Sequence, residues 1–233
     1  MKSKREVPGS PLANGECKMS AARNGKLARP FEMPRSREPL DSPADSASES
    51  TSPDARWAPA LGRIRSLVAA PVPESAFLDG VIRMVVDVLG VPHGKILALE
   101  SSAPWLTVKA GVGWKPGTVG HARVSLGSRS QAGLTLRMGS AVVCPDLART
   151  RRFAGATLLR KHGVVSTASA VIGASERPYG VMSVHTTRRH DFTPAEIQFL
   201  SQAAQLVSAG ISARRSWPSG IDRLYHGVRA SDS

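Results

Sequence analysis

The chain has 233 residues, 41% of them apolar and 5% aromatic, with 31 Lys and Arg against 18 Asp and Glu, a formal net charge of +13. That length holds one domain with tails, or two very small domains, and the two widely separated cysteines, Cys17 and Cys144, exclude a disulfide framework and fit a reducing compartment. No apolar run approaches the ~18 residues that cross a bilayer, and no apolar stretch follows the basic N-terminus as in a secretory signal, so the expected location is soluble and cytoplasmic.

Residues 1–60 carry ten Lys/Arg and eight Asp/Glu among many Ser and Pro. Their scattered apolar residues cannot offset the entropy of ordering them, which predicts a disordered arm. Residues 61–215 hold nearly all the Val, Ile and Leu and are the expected domain, with 216–233 as a flexible tail. The first expected helix places Leu61, Ile64, Leu67 and Val68 at helical spacing before Pro71 and Pro73. The second runs from Glu74 to Leu89 with two apolar rows, Leu78, Ile82, Val85, Leu89 and Phe77, Val81, Met84, Val88, so it must pack on more than one side. Gly90 and Pro92 end it.

Strands are predicted at Lys95–Glu100 and Trp105–Ala110, the second alternating Leu106, Val108 and Ala110 against Thr107 and Lys109. A glycine-rich stretch, 111–120, follows. A short strand at Ala122–Leu126 leads to a helix with Ser128 and Gln131 as a capping pair, ended by Gly139. Ala141–Cys144 reads as a brief strand, Pro145–Ala154 as a loop and Ala156–His162 as one or two helical turns. Val164–Ile172 and Tyr179–Thr187 read as an antiparallel hairpin. In the last helix Thr193, Pro194 and Glu196 form a capping box with Pro at the first position. Ile197, Leu200, Ala204, Val207 and Ile211 repeat at three-four spacing, and Arg214 and Arg215 sit where positive charge suits the helix dipole. The element order implies an α+β fold, a central antiparallel sheet of five to six strands with the terminal helices on one face.

The run GVGWKPGTVGHARVSLGSRSQAGLTLRMGSAVVCPDLARTRRFAGATLLRKHGVVS, followed by PYGVMSVHTTRRHDFTPAEIQFLSQAAQLV, resembles bacterial GAF domains. The similarity covers the element order from Leu61 to Arg215, and its most telling part is the YGVMSVH strand leading into FTPAEIQFLSQAA. The resemblance implies a sensory or regulatory module, not an enzyme, whose ligand lies between the sheet and the loops and short helices on one side. In such domains the terminal helices commonly pair across a dimer and pass the signal to an attached output domain. This sequence departs from that pattern, because only 18 residues follow Arg215; the expectation is a homodimer through the terminal helices that either contacts a separate signalling protein or is a truncated or degenerate sensor.

The cofactor is left unknown. Cys144 is a candidate redox residue, either a switch or the centre of a redox enzyme, though a Cys among Ala, Val, Val and Pro suits a small buried apolar position. It lacks the neighbouring His of bilin-anchoring members. His121, His162 and His185 are candidate ligand-binding residues, but they lack metal-ligand spacing and no metal site is expected. Trp114 and Phe153 are candidate pocket walls or core plugs. Arg151 and Arg152, within a basic cluster that includes Arg149, Arg160 and Lys161, are candidates for holding a phosphate-bearing ligand or for a solvated face. The remaining alternative is a polyanion or nucleic-acid binder. The basic residues are spread over many elements and aromatics are few, so general basicity is preferred.

Overall fold

The structure is a computed structural model and describes residues 53–101, 103–127, 129–153 and 156–216. Its elements are α1 (Pro53–Ala69), α2 (Glu74–Leu89), β1 (His93–Leu99), β2 (Trp105–Val112), β3 (Arg123–Ser125), α3 (Gln131–Met138), β4 (Val142–Cys144), α4 (Thr157–Lys161), β5 (Ser166–Ala174), β6 (Arg177–Thr186) and α5 (Pro194–Arg215). One six-stranded sheet has the order β3-β2-β1-β6-β5-β4, with every neighbouring pair antiparallel. The expected α+β class and antiparallel sheet are therefore observed.

Helices α1, α2 and α5 cover one sheet face. Phe77, Val81, Ile82 and Val85 of α2 and Leu200, Ala204, Val207 and Ile211 of α5 are buried with Ile96, Ala110, Ala168, Met182 and Val184 of the sheet. Both apolar rows of α2 are used because it lies between the sheet and its neighbours α1 and α5. The three-four stripe of α5 is likewise spent inside its own chain, so it offers no coiled-coil seam to a second copy.

The first helix begins at Pro53, eight residues into the segment expected to be disordered. The gain is physical: Trp57 is 6% exposed and stacks on Phe199 at 5.1 Å, and Ala60 is buried beside it. The rest of the expected arm, residues 1–52, and the expected tail after 216 lie outside the described residues. At the other end of α1, the Arg214 guanidinium donates to the carbonyls of Leu67, Val68, Ala70 and Val72, and to that of Gly210 in its own helix, while lying 3.9 Å above the Phe77 ring. Arg214 thus caps the carbonyls left open at the end of α1. Since the starts of α1 and α5 meet at Trp57 and Phe199 and their ends meet at Arg214, the two helices run parallel.

Two register shifts correct the expected alternation. Between Ile96 and Leu97 the pairing steps from Ala110 to Val108, so Lys109 is an extra residue on β2. Ala110 therefore turns to the helix face while Leu106 and Val108 face the other way. Between Ile172 and Gly173 the pairing steps from Gly180 to Pro178, making Tyr179 the extra residue on β6. Tyr179 packs against the helix-side core and donates to Glu74 at 2.7 Å, whereas strict alternation along the strand would set it on one face with Val181 and His185. Beside it, Gly180 is required: a Cβ there would lie 1.8 Å from the Leu97 carbonyl oxygen. The expected cap of α3 also moves. Ser130 is the N-cap, its hydroxyl accepting from the Gly133 N–H, and Gln131 instead binds the Val142 carbonyl and the Thr167 hydroxyl. By contrast, the capping box of α5 forms as expected.

Replacing Trp57 by Ala should lower the unfolding free energy by about 3 kcal/mol or more, the usual cost of emptying a buried aromatic site. Urea denaturation measures it, and an unchanged midpoint would remove α1 from the domain.

Candidate functional site

The sheet face turned away from the long helices carries a different chemistry. Because side chains alternate along a strand, β1 presents His93, Lys95 and Leu97 there, and β6 presents Val181, Ser183 and His185. The antiparallel register sets His93 opposite His185 and Lys95 opposite Ser183. Lys95 and His185 are 4% and 0% exposed, and Lys95 Nζ lies 2.6 Å from His185 Nε2. His185 Nδ1 has no hydrogen-bond partner among the described residues. Burial pulls the Lys95 amine down to about 7 and holds His185 well below the usual imidazole range, with the Lys95 charge acting in the same direction. His93 is lowered too, by burial first and then by His162 and Lys95.

Trp114 folds back over this pair from the glycine-rich loop. Its Nε1–H donates to the Gly94 carbonyl at 2.7 Å, and its ring lies near His93, His162 and His185, with Lys95 Nζ 4.8 Å from the ring centre. Gly113 permits the reversal: φ is 81°, and a Cβ would stand 2.2 Å from the Pro92 carbonyl oxygen. His162 fastens the loop. Its Nε2 accepts the Lys115 N–H at 3.1 Å, so its Nδ1–H donates to the Leu158 carbonyl at 2.9 Å.

Beside this cluster a cavity of about 230 Å³ opens between the sheet, β3, the first turn of α3 and α4. Lys95, Leu97 and Ser183 line its sheet side. Ser130, Gln131 and Ala132 come from the start of α3, Arg123 from β3, and Leu158 and Leu159 from α4. Helix α3 is tied to the sheet by the Thr135 to Ser169 hydroxyl pair at 2.7 Å and by Gln131, which fixes this wall.

Of the residues singled out from sequence, the structure brings Trp114, His162 and His185 together. Phe153 is 1% exposed in an adjacent apolar cluster with Leu134, Val142, Leu147 and Leu159. Cys144 is 1% exposed in that same cluster. His121 lies on another part of the surface, near Trp105 and Lys109 at the β2–β3 edge. Arg151 and Arg152 are exposed on the loop before α4 and do not line the cavity. Sequence reasoning missed Lys95, His93, Arg123 and Ser183. The available signal was a lysine at the head of the unbroken apolar run 96–99, where a strand has no solvated face for a charge. Among the described residues no group of three or more His, Cys, Asp or Glu could hold a metal ion, and no helix is long and apolar enough to cross a membrane.

Two outcomes test this arrangement. In Cys17→Ser, which leaves Cys144 as the remaining thiol, a thiol reagent should react only as fast as the chain unfolds, since the buried sulfur is out of the reagent's reach; rapid stoichiometric labelling without denaturant would contradict its placement. Lys95 supplies a pH dependence. Its amine is protonated in the unfolded chain up to about 10.4 but loses its proton at about 7 when folded, so between these values the unfolded state binds more protons and stability rises with pH. From about pH 7 to 9 the unfolding free energy should therefore climb, at most about 1.4 kcal/mol per unit, and Lys95→Met should flatten the slope. Denaturant unfolding at several pH values measures both.

No curated protein matches the chain. Among solved structures, the GAF domain of an Acinetobacter phosphoenolpyruvate-protein phosphotransferase superposes with a TM-score of 0.60 at 22% identity, over 69% of this chain and 95% of that one. The free methionine-R-sulfoxide reductase from Neisseria meningitidis, solved in complex with its substrate, gives 0.59 at 18% identity, over 76% and 98%. The phycocyanobilin-bound GAF domain from a cyanobacterial phytochrome gives 0.57 at 14% identity, over 67% and 94%. These identities establish a shared fold. Residues 73–211, more than half of the chain, match the GAF domain family, and with its antiparallel sheet and flanking helices the protein belongs to that family.

Proposed function

We propose that this chain is a sensory or regulatory module in which the cavity above Lys95 receives a small-molecule ligand and a separate signalling protein reads the result. The observation that carries the reading is the coincidence of an internal cavity with a buried ionisable side chain, an arrangement that stability alone does not favour. A volume of about 230 Å³ suits a compact metabolite better than a drug-sized molecule. The neighbour from N. meningitidis is a reductase and the cyanobacterial one holds a bilin. The fold alone therefore selects neither chemistry nor ligand. The burial of Cys144 beside Leu134 and Leu159 favours a packing role for it over a redox one. A homodimer through α1 and α5 would use their outward surfaces, because the apolar stripe of α5 is occupied; sedimentation as a strict monomer at high concentration would remove the dimer.

Native mass spectrometry and an absorbance spectrum of protein purified from its own host test the ligand. A bound mass is expected in the wild type, and Leu158→Trp, which fills the cavity from α4, should abolish it. Retention of that mass by the filled variant would place the ligand elsewhere and overturn the reading.

A further inference from the structure

An ammonium group removed from water normally has a carboxylate beside it, since the desolvation penalty amounts to several kcal/mol per ion. Among the described residues Lys95 has no such partner. Its contacts are the His185 imidazole at 2.6 Å and the face of Trp114. The ionisable groups around it are His93 on its own strand, His185 on β6, His162 after α4 and Arg123 across the cavity; each is neutral or positive. Among the described residues no Asp or Glu lines the cavity.

The other polar features point the same way. Gln131 and Ala132, which line the cavity, are the first residues of α3, where the helix dipole is positive, and the first turn holds no acidic residue. The hydroxyl oxygens of Ser125 and Ser130 accept the N–H groups of Gly127 and Gly133, which leaves their own protons to donate. The remaining surface is largely apolar, supplied by Leu97, Val124 and Leu158 among others. A single buried cation flanked by hydroxyl donors and apolar walls matches an anionic head on an apolar body. A free phosphate would leave those apolar walls uncovered.

We infer that the cavity takes a small organic carboxylate with an apolar body, whose carboxylate group forms an ion pair with Lys95. The inference rests on the reading of this cavity as the ligand site. It has a consequence for protons. Without ligand, burial lowers the amine's pKa to about 7; a bound carboxylate favours the ammonium form and raises it. Binding above pH 7 therefore takes up a proton, and the dissociation constant should rise by up to about tenfold per pH unit there.

Benzoate and isovalerate serve as probes on the full chain, with benzamide and isovaleramide as uncharged counterparts, read by thermal shift and by titration calorimetry in two buffers of different ionisation enthalpy. Both acids should raise the melting temperature and the amides should not. At pH 8 calorimetry should show uptake of up to one proton per bound acid. Lys95→Met should melt no lower than the wild type without ligand and lose the acid response. Failure of both acids to shift the melting temperature overturns the inference. So does an equal response to acids and amides that survives in Lys95→Met. If such neutral binding disappears in Leu158→Trp, the carboxylate assignment falls while the cavity reading stands. If the acids stabilise Leu158→Trp as well as wild type, they bind elsewhere and the assignment to this cavity falls; retention of the host-derived mass by that variant is the separate result that removes the cavity reading.

Discussion

An amine is buried in this domain with no opposite charge to meet it among the described residues, and the pairing of β1 with β6 is what holds it there. The register that sets Lys95 against Ser183 and His93 against His185 is held by the packing of the opposite face and by one close backbone approach. Ile96, Met182 and Val184 are locked under the long helices. Gly180 lets β6 approach the Leu97 carbonyl more closely than any side chain would allow. A slip by one residue would swap the faces, exchanging the polar row for the apolar one. The helix-side core therefore supports a polar surface on the reverse side that is unfavourable by itself.

That division separates the molecule into a close-packed half and a half that holds the cavity. The helix side is close-packed with fully buried Phe77, Val81, Ile82, Met182 and Val207. The opposite side is built from short elements, β3, β4, α3 and α4, joined by loops and tied down by polar contacts such as Thr135 to Ser169 and His162 to Lys115. Such hydrogen bonds fix direction better than apolar contact does, but each contributes only about 1 kcal/mol net. The cavity wall is thus oriented by polar contacts and seated on smaller apolar clusters, among them the one around Phe153 and Leu159.

The parts of the fold that were legible in the sequence are those whose signals are local. Thr193, Pro194 and Glu196 announced α5 and form the capping box expected of them, and the double row of α2 predicted its position between two packing partners. What could not be read depends on residues far apart in the chain. Lys109 and Tyr179 become extra residues only because of the strands opposite them, and each inverts the alternation on one side of itself. Trp57 looked like part of a polar arm because its partner, Phe199, lies on the last helix. The candidate site was half visible for the same reason. Trp114, His162 and His185 stood out as residue types, whereas Lys95 gains its character from His185, 90 positions away. The basic cluster around Arg151 and Arg152 was conspicuous in sequence, yet those two residues remain on the surface.

The parallel course of α1 and α5 bears on how a change at the cavity would leave the domain. Stacked aromatics fasten the pair at its beginning, and one guanidinium shared among five carbonyls fastens it at its end. Sliding one helix past the other by a single residue, a rise of about 1.5 Å, would break both fastenings together. Tilting the two as a joined strut breaks neither. Mechanical output from this fold is therefore expected to travel as a rocking of the helix pair against the sheet, with the axial position of each helix unchanged.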